Sequence, residues 1–262
     1  DTLTLTENAQ PALMAVSLAA TRVLESQSSV SIRTTARYVA GHSLGEYSAL
    51  AAAGSLSIVD TAKLLKIRGK AMQEAVPVGE GAMAALIGLD LDVAQEVASE
   101  AARDGQVCAA ANDNAPGQIV VSGHAAAVER AVELAKEKGA KRAIMLTVSA
   151  PFHCSLMQPA ADVMAQALAD VEIASPVVPL IANATAASVI DPDDIRRLLV
   201  SQVTAMVRWR ESVGLMREAG VDTLIEVGAG KVLTGLARRI DRELTAVSLQ
   251  GPADIEEFLK TV

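Results

Sequence analysis

Hydrophobic and polar positions follow each other along the chain in two patterns, which predict a succession of strands and helices. Short apolar runs bounded by turn formers predict strands at 36–40, 83–88, 107–111, 118–123, 142–148, 177–181, 223–227 and 247–249. Apolar residues spaced three and four apart predict helices at 6–24, 46–53, 57–72, 91–102, 125–138, 159–168, 191–203, 209–219 and 231–240. Because strands alternate with helices, the pattern favours the α/β class, with a mostly parallel sheet covered on both faces.

The first predicted helix starts near Thr6 and carries Pro11 in its first turn. Its predicted apolar face consists of Leu13, Val16, Ala20, Val23 and Leu24. Residues 27–35 are mostly polar and predict a linker that leads into the first strand.

Residues 79–149 predict a small subdomain inserted into a larger α/β domain made of residues 1–78 and 150–262. The elements of this insertion follow the order βαββαβ, which is that of a ferredoxin-like unit. Residues 112–117 are rich in turn formers and predict the loop of its central hairpin.

Composition excludes several classes of protein. Aromatic residues make up only 2% of the 262 residues, so the core must be built from Ala, Val, Leu, Ile and Met. No apolar run approaches the roughly 18 residues of a membrane span, and the opening residues lack a signal-peptide pattern. Two cysteines form no disulfide framework, which fits a reducing, cytoplasmic location. A net charge of −8 without a basic run disfavours nucleic-acid binding.

The segment GHSLG at 41–45 lies between a predicted strand and a predicted helix, as a nucleophile elbow does. In such a turn the glycines relieve crowding, and the strained backbone presents the Ser43 hydroxyl to a substrate carbonyl. The alternative is structural, because Ser43 and Glu46 also fit the S-x-x-E capping box. The flanking strand and helix favour the nucleophile.

A serine nucleophile needs a general base, and the chain offers three histidines. His42 adjoins Ser43, so its side chain should leave the turn in another direction. His124 follows a strand of the insertion, where a capping or surface role is expected. His153 lies where the chain leaves the insertion, and from the residues alone a base and a satisfied loop histidine are equally good interpretations. Cys154 is better explained as a buried packing residue than as a nucleophile.

Five motifs occur in the same order as in a known family. They are GHSLGEYSAL, IRGKAMQEAVP, NDNAPGQIVVSGH, APFHCSLM and EVGAGKVLTGLARRI. Together they resemble the malonyl-CoA:acyl carrier protein transacylases, from about Gln10 to near the C-terminus. The resemblance implies an α/β-hydrolase-like large domain with an inserted ferredoxin-like subdomain. It implies a ping-pong transfer of malonyl from malonyl-CoA to the phosphopantetheine thiol of acyl carrier protein, without a metal or redox cofactor. We expect a cytoplasmic monomer.

The resemblance also implies roles for individual residues. Ser43 matches the acyl-accepting serine, His153 the base, and the N–H of Leu44 one oxyanion donor. Gln202 matches a residue whose main-chain carbonyl orients the histidine, so its side chain is expected to matter little. Arg68 matches the arginine that holds the malonyl carboxylate; the alternative is an exposed helix arginine.

Further positions match residues that line the cleft in the family, namely Gln10, Asn112, Asn114 and Asn183. The bulk of Phe152 is expected to disfavour a substrate with a 2-methyl branch. Because carrier proteins of this kind are acidic and this chain is itself acidic, docking requires a local basic patch. The candidates are Lys231, Arg238 and Arg239 on the last predicted helix; alternatively these are solvated charges near a helix end.

One departure from the family pattern affects the expected activity. The family begins with a strand and a Gly-Gln-Gly-Ser-Gln loop that supplies the second oxyanion N–H, and this sequence contains no such segment. We therefore expect either that the real protein has further residues or that this form is inactive.

Two alternative functions are considered: a serine hydrolase, and a catalytically inactive module that only docks a carrier protein. The hydrolase is disfavoured, because its histidine normally comes late in the chain and none occurs here after His153.

Overall fold

The computed structural model describes residues 2–261, which form helices and strands in alternation. The helices are α1 (Thr6–Gln27), α2 (Ile32–Thr35), α3 (Gly45–Ala52), α4 (Ile58–Glu74), α5 (Leu91–Ala101), α6 (Ala125–Glu137), α7 (Gln158–Ala169), α8 (Pro192–Gln202), α9 (Trp209–Glu218), α10 (Val232–Ile240) and α11 (Pro252–Phe258). The strands are β1 (Val39–Ala40), β2 (Gly81–Ile87), β3 (Cys108–Ala115), β4 (Gln118–His124), β5 (Arg142–Met145), β6 (Leu180–Ala182), β7 (Ala187–Val189), β8 (Thr223–Val227) and β9 (Thr245–Leu249). The fold is therefore mixed α/β, as predicted.

Parallel pairing is present, but not in the single sheet that the pattern predicted. β1 pairs with β6 in parallel, and β7 adds to β6 as an antiparallel strand. β8 pairs with β9 in parallel over five residues of each strand. Among residues 2–261, no strand hydrogen-bonds to both pairs, so the parallel strands belong to two small sheets.

The strands β2 to β5 form one antiparallel sheet in the order β3-β4-β2-β5, and α5 and α6 pack on it. We call these six elements the four-stranded unit. Their order along the chain is the predicted one. The hairpin differs, because β3 continues through the expected loop and leaves only Pro116 and Gly117 as the turn. Two register shifts let β3 stay paired with β4, and a bridge between Asn112 and Val207 pairs main-chain groups of β3 that a loop would leave to water.

The largest core cluster lies among α1, α3, α4, α7 and α8. α1 crosses α4 where a Cβ on Gly69 would lie 2.5 Å from Cα of Glu7, so only glycine allows this approach. The crossing buries Met14 and Leu18, whereas the predicted core residues Leu13 and Val16 are largely exposed. The predicted face of α1 was thus partly wrong, because packing on α3 and α4 sets the rotation of the helix.

Helix ends follow local side-chain chemistry in several places. Ser57 caps α4 by accepting the Asp60 N–H at 3.0 Å. Asp191 caps α8 in the same manner. Ser31 caps the short helix α2, which lies inside the predicted linker, and Pro11 lies one turn deeper in α1 than predicted. The elements β7 and α11 were not predicted.

Two contacts fasten the four-stranded unit to α9. The Val207 main chain, just before α9, pairs with β3 by hydrogen bonds to Ala111 and Asp113 of 2.8 and 2.9 Å. Arg210 of α9 forms an ion pair with the buried carboxylate of Asp113 at 2.8 Å. Within residues 2–261 no helix has the length and apolar character needed to cross a membrane.

Candidate active site

The elbow brings Ser43 into a strained turn between β1 and α3. Ser43 has φ of 53°, a left-handed conformation that costs free energy in a residue with a side chain. A Cβ on Gly41 would lie 2.0 Å from the carbonyl of Gly45, so the turn requires glycine at 41. A Cβ on Gly45 would meet nothing within 4 Å. The expected crowding therefore holds for the first glycine and not for the second.

The capping-box alternative for Ser43 is not adopted. The N-cap position of α3 is Leu44, which makes no side-chain capping hydrogen bond, and the Ser43 hydroxyl bonds to His153 and Arg68 instead. The Leu44 N–H has no acceptor among the residues that the structure describes. It is therefore free to donate to a ligand at the helix N-terminus, where the partial positive charge of the helix lies.

Ser43 and His153 are 110 residues apart in the chain and lie in hydrogen-bond contact. Ser43 Oγ is 2.8 Å from His153 Nε2. On the other side of the ring, Nδ1 faces the main-chain oxygens of Gln202 and Ala205 at 2.9 and 3.2 Å. Because carbonyl oxygens only accept, Nδ1 carries the proton and Nε2 is free to accept the serine proton.

The environment of His153 keeps its ring neutral. The side chain is buried, and burial, with the positive charge of Arg68 as a second cause, lowers its pKa to about 3. His153 also has a positive φ, 58°. Serine and histidine thus both occupy strained backbone conformations, which the surrounding packing must hold in place.

Arg68 lies in the core rather than on a helix surface, which excludes the alternative of an exposed arginine. Its side chain is 1% exposed, and its guanidinium donates to Gln10 Oε1, Ser43 Oγ and Gln202 Oε1 at 2.8, 3.1 and 2.8 Å. The Tyr47 ring lies 5.7 Å from Cζ, and Nε has no hydrogen-bond partner within residues 2–261. No carboxylate lies within ion-pair distance of this buried cation in the described residues. Such a site favours an anionic ligand beside Ser43.

The side chain of Gln202 contributes more than the sequence suggested. Its Nε2 donates to the Ser43 carbonyl oxygen at 2.9 Å and to Glu46 Oε2 at 2.8 Å. Its Oε1 accepts from Arg68, and its main-chain oxygen faces His153. One residue therefore contacts the serine, the histidine and the arginine. The main-chain contact to His153 is the expected one, and the resemblance did not imply the side-chain contacts, whose effect on activity stays a prediction.

Asn183 fixes the elbow from the turn that follows β6. Its Oδ1 accepts the Ser43 N–H at 2.7 Å, and its Nδ2 donates to the Gly41 carbonyl at 2.8 Å. Its own N–H donates to Glu46 Oε2 at 3.0 Å. Glu46 was considered in the sequence only as a capping partner. The available signal was that Glu46 is the single charged residue of the α3 segment.

The remaining predicted cleft residues are Asn114, Asn112 and Phe152, and each contacts a different part of the fold. Asn114 Oδ1 accepts a hydrogen bond of 2.8 Å from Nε2 of His42, whose ring lies 5.7 Å from the Trp209 ring. Asn112 is held by its main-chain bridge to Val207. Phe152 packs between the largest core cluster and the β3–β4–β2 surface.

The other two histidines lie as the sequence suggested. Burial lowers the pKa of His42, whose side chain contacts Asn114 and not the Ser43 hydroxyl. His124 caps a neighbouring segment, because its Nδ1 accepts the Val107 N–H at 2.8 Å. Cys154 is buried and donates to the Pro151 carbonyl, and burial raises the pKa of its thiol. Its environment does not favour a reactive thiolate.

Lys231, which precedes α10, and Arg238 and Arg239 within it are exposed, and the two arginines make hydrogen bonds. Arg238 donates to the Ala246 carbonyl and Arg239 to Gln118 Oε1, each at 3.1 Å. Arg239 therefore links α10 to the four-stranded unit. Lys231 precedes the first turn of α10, whose N–H groups donate to Glu226.

Comparison with known proteins agrees with this geometry. A family model for the acyl transferase domain matches residues 1–248. The chain belongs to the acyl transferase family. It is 46% identical, over 260 residues, to the malonyl CoA-acyl carrier protein transacylase of Bacillus subtilis (strain 168), and the match covers 99% of this chain and 80% of that protein.

Solved structures of acyl transferases are equally similar. The acyl-carrier-protein-S-malonyltransferase from Bartonella henselae superposes with a TM-score of 0.96 and 56% identity, covering all of this chain and 82% of that one. A malonyl-transacylase solved in complex with its type II PKS acyl-carrier protein gives a TM-score of 0.95 and 42% identity over 99% of this chain and 82% of that chain. The elbow, the histidine and the buried arginine thus belong to an acyl transferase.

Proposed function

We propose that this acyl transferase moves a malonyl group from malonyl-CoA to the phosphopantetheine thiol of an acyl carrier protein. The observation that supports this most is the position of Ser43 Oγ, 2.8 Å from His153 Nε2 and 3.1 Å from Arg68 Nη2. A nucleophile, a neutral base and a buried cation without a carboxylate partner meet at one atom. A substrate with both a thioester and a carboxylate fits them.

In the first half-reaction, His153 Nε2 takes the Ser43 proton as Oγ attacks the thioester carbonyl. The Leu44 N–H donates to the negative oxygen that forms. The C–S bond then breaks, CoA leaves with the proton from His153, and a malonyl ester remains on Ser43.

In the second half-reaction, the thiol of the carrier protein gives its proton to His153 and attacks the ester. The C–O bond to Ser43 breaks, and the serine recovers its proton from His153. Carbonyl acceptors orient the His153 ring here, in the place that a carboxylate has in a Ser-His-Asp triad. No step draws on a metal or a redox cofactor.

Other residues receive supporting roles in this proposal. Arg68 holds the malonyl carboxylate, with Gln10 and Gln202 fixing its guanidinium. Asn183 holds the elbow, and Phe152 limits space beside His153 for a branched acyl group. Asn112 and Asn114 line the cleft on the side of β3. We place the carrier protein against Lys231, Arg238 and Arg239.

We also propose the finer architecture: an α/β-hydrolase-like domain of residues 1–78 and 150–262, with residues 79–149 inserted as a ferredoxin-like subdomain. The sheet order β3-β4-β2-β5 supports the second half of this proposal. The enzyme would act as a monomer in the cytoplasm, in line with two free, buried cysteines.

Mass spectrometry of the protein mixed with malonyl-CoA tests the function. We expect a malonyl adduct that disappears when acyl carrier protein is added and that the Ser43→Ala variant never forms. Steady release of free malonate would instead indicate a hydrolase. No adduct in the native protein would indicate a module that only docks a carrier protein, and an adduct on Cys154 in the Ser43→Ala variant would refute the nucleophile.

A further inference from the structure

Glu46 is a buried carboxyl group that the proposed reaction does not use. It lies one turn after Ser43 in α3, and its side chain is 1% exposed. Oε2 accepts from the Asn183 N–H at 3.0 Å and from Gln202 Nε2 at 2.8 Å. Oε1 is buried and has no hydrogen-bond partner among residues 2–261. Burying a carboxylate costs free energy, so its presence here needs a reason.

An amide joins Glu46 to Arg68. Gln202 donates through Nε2 to Glu46 Oε2 and accepts through Oε1 from Arg68 Nη2, both at 2.8 Å. Arginine can only donate, so the orientation of this amide is fixed, and its NH₂ end must face an acceptor. The chain Glu46–Gln202–Arg68 therefore connects a negative to a positive charge through one side chain.

The charges in this cluster balance only while Arg68 has no anionic ligand. The positive charge of Arg68 and the negative charge of Glu46 are both inside the core and attract each other. A malonyl carboxylate bound to Arg68 adds a second negative charge to the same buried region. Two carboxylates beside one guanidinium repel each other, and neutralising one of them by a proton relieves the repulsion.

We infer that Glu46 is the internal counter-charge of Arg68 and takes up a proton when the malonyl carboxylate binds. Glu46 is thus a positioning residue. In the free enzyme its ionised carboxylate holds Gln202 and, through it, Arg68. In the complex its protonated carboxyl group no longer repels the malonyl carboxylate. This inference rests on the proposed function, because it needs Arg68 to bind the malonyl group.

The surroundings of Glu46 are suited to such a change. Burial raises its pKa to about 7, against the opposing effects of the hydrogen bonds from Gln202 and Asn183 and the charge of Arg68. The other titratable groups in the cluster are Tyr47, whose pKa burial raises above the physiological range, and His153, which burial keeps neutral. His42 lies beyond Ser43 and is also kept neutral by burial.

The direction of the pH effect follows from linkage. If binding takes up a proton, malonyl-CoA binds more weakly as the pH rises above the free-enzyme pKa of Glu46. The dissociation constant should rise by up to about tenfold per pH unit until the pKa of Glu46 in the complex is reached. Acetyl-CoA shares the thioester and the nucleotide with malonyl-CoA but lacks the carboxylate. Its dissociation constant should therefore not show this rise with pH.

Calorimetry measures the proton directly. Ser43→Ala protein is titrated at pH 7.5 with malonyl-CoA and with acetyl-CoA, in two buffers of different ionisation enthalpy. We expect malonyl-CoA to take up about half a proton more than acetyl-CoA. In Ser43→Ala/Glu46→Gln protein this excess should vanish. Glutamine has the same shape and can keep both acceptor contacts while it lacks the charge.

Each outcome bears on the inference. An excess that persists in the Glu46→Gln protein would assign the proton to another group and refute it. No excess in the parent would also refute it, and that measurement requires no variant at 46 to fold. If malonyl-CoA nevertheless binds more tightly than acetyl-CoA and acylates the native protein, the proposed function stands without the inference. If the two thioesters bind alike, Arg68 does not hold the malonyl carboxylate and the inference fails, while formation of the malonyl adduct decides separately whether the proposed function stands.

Discussion

The four-stranded unit and the polar cluster around Ser43 are built on opposite principles. The core of the four-stranded unit consists of alanine, valine, leucine and isoleucine with one cysteine, and every strand of its sheet has antiparallel neighbours. The Ser43 cluster buries Glu46, Arg68, His153, Asn183 and Gln202. Removal of apolar surface from water stabilises the first region, whereas desolvation of polar groups in the second costs free energy.

The difference shows where this protein holds unfavourable backbone conformations and buried charges. Ser43 and His153 have positive φ, and Arg68 and Glu46 are charged groups deep inside the core.

The pH dependence of stability should reflect the buried titratable groups. Because its pKa is raised, Glu46 stabilises the fold below about pH 4.5, and this contribution is lost as the pH rises through about 7. Because its pKa is lowered, His153 stabilises the fold above pH 6.5, and this contribution is lost as the pH falls towards 3.

The largest expected effect is on catalysis, at His153. His153→Ala should slow malonyl transfer by about three orders of magnitude or more, because the hydroxyl loses its proton acceptor. Single-turnover kinetics of adduct formation measure it. Leu86→Ala in the four-stranded unit is the control: it removes a fully buried side chain and should cost about 2–5 kcal/mol of stability while the rate per folded molecule stays the same. A rate that falls equally in both variants would contradict the division between the two regions.

Arg68 should give the next effect, on the choice of substrate. Removing one partner of a buried charge-assisted pair costs on the order of 2–5 kcal/mol, enough to abolish most preference for malonyl-CoA over acetyl-CoA. The ratio of kcat/KM for the two thioesters is measured in Arg68→Ala protein. Arg130→Ala is the matched control, because Arg130 donates to the Ala101 carbonyl within the four-stranded unit. An unchanged ratio in Arg68→Ala would refute the assignment of Arg68.

The two regions were also unequally predictable from the sequence. Strand and helix periodicity predicted the order of elements in the four-stranded unit, since each element there buries one regular apolar face. It missed the extension of β3, because the pairing of β3 with Val207 depends on a segment about ninety residues later. The periodicity also predicted the wrong face for part of α1, because packing against α3 and α4 sets the rotation of that helix.

For the polar cluster, sequence reasoning predicted the residues and not their contacts. Motifs indicated Ser43, His153 and Arg68, and the fold brings all three together. No local pattern could show that the Gln202 side chain joins them or that Glu46 is buried behind it. These contacts form between residues 134 to 159 positions apart, at the meeting of α3, α4 and α8.

A smaller effect is expected at Gln202. Gln202→Ala keeps the main-chain oxygen that orients His153 and removes three side-chain hydrogen bonds. Each buried group left unpaired costs about 1–3 kcal/mol, so stability should fall and malonyl-CoA should lose part of its advantage over acetyl-CoA. Denaturant unfolding and the kcat/KM ratio measure the two effects. Gln106→Ala, in the four-stranded unit, should change neither by much. Wild-type behaviour at 202 would show that the main chain alone matters.

The smallest expected effect lies outside both regions, at the exposed basic residues of α10. Replacing Arg238 and Arg239 by Glu should weaken the use of acyl carrier protein while leaving Ser43 acylation by malonyl-CoA intact, because rim charges act mainly on the association rate. The loss should be greatest at low ionic strength, where charges are least screened. Each half-reaction is measured separately at two salt concentrations.

Replacing Arg103 and Arg142, which lie in or beside the four-stranded unit, by Glu changes the net charge equally and controls for general repulsion between the two acidic proteins. If both half-reactions fall together, the hydrogen bonds of Arg238 to Ala246 and of Arg239 to Gln118 are structural and α10 is not the docking surface. If neither falls, the carrier protein docks elsewhere.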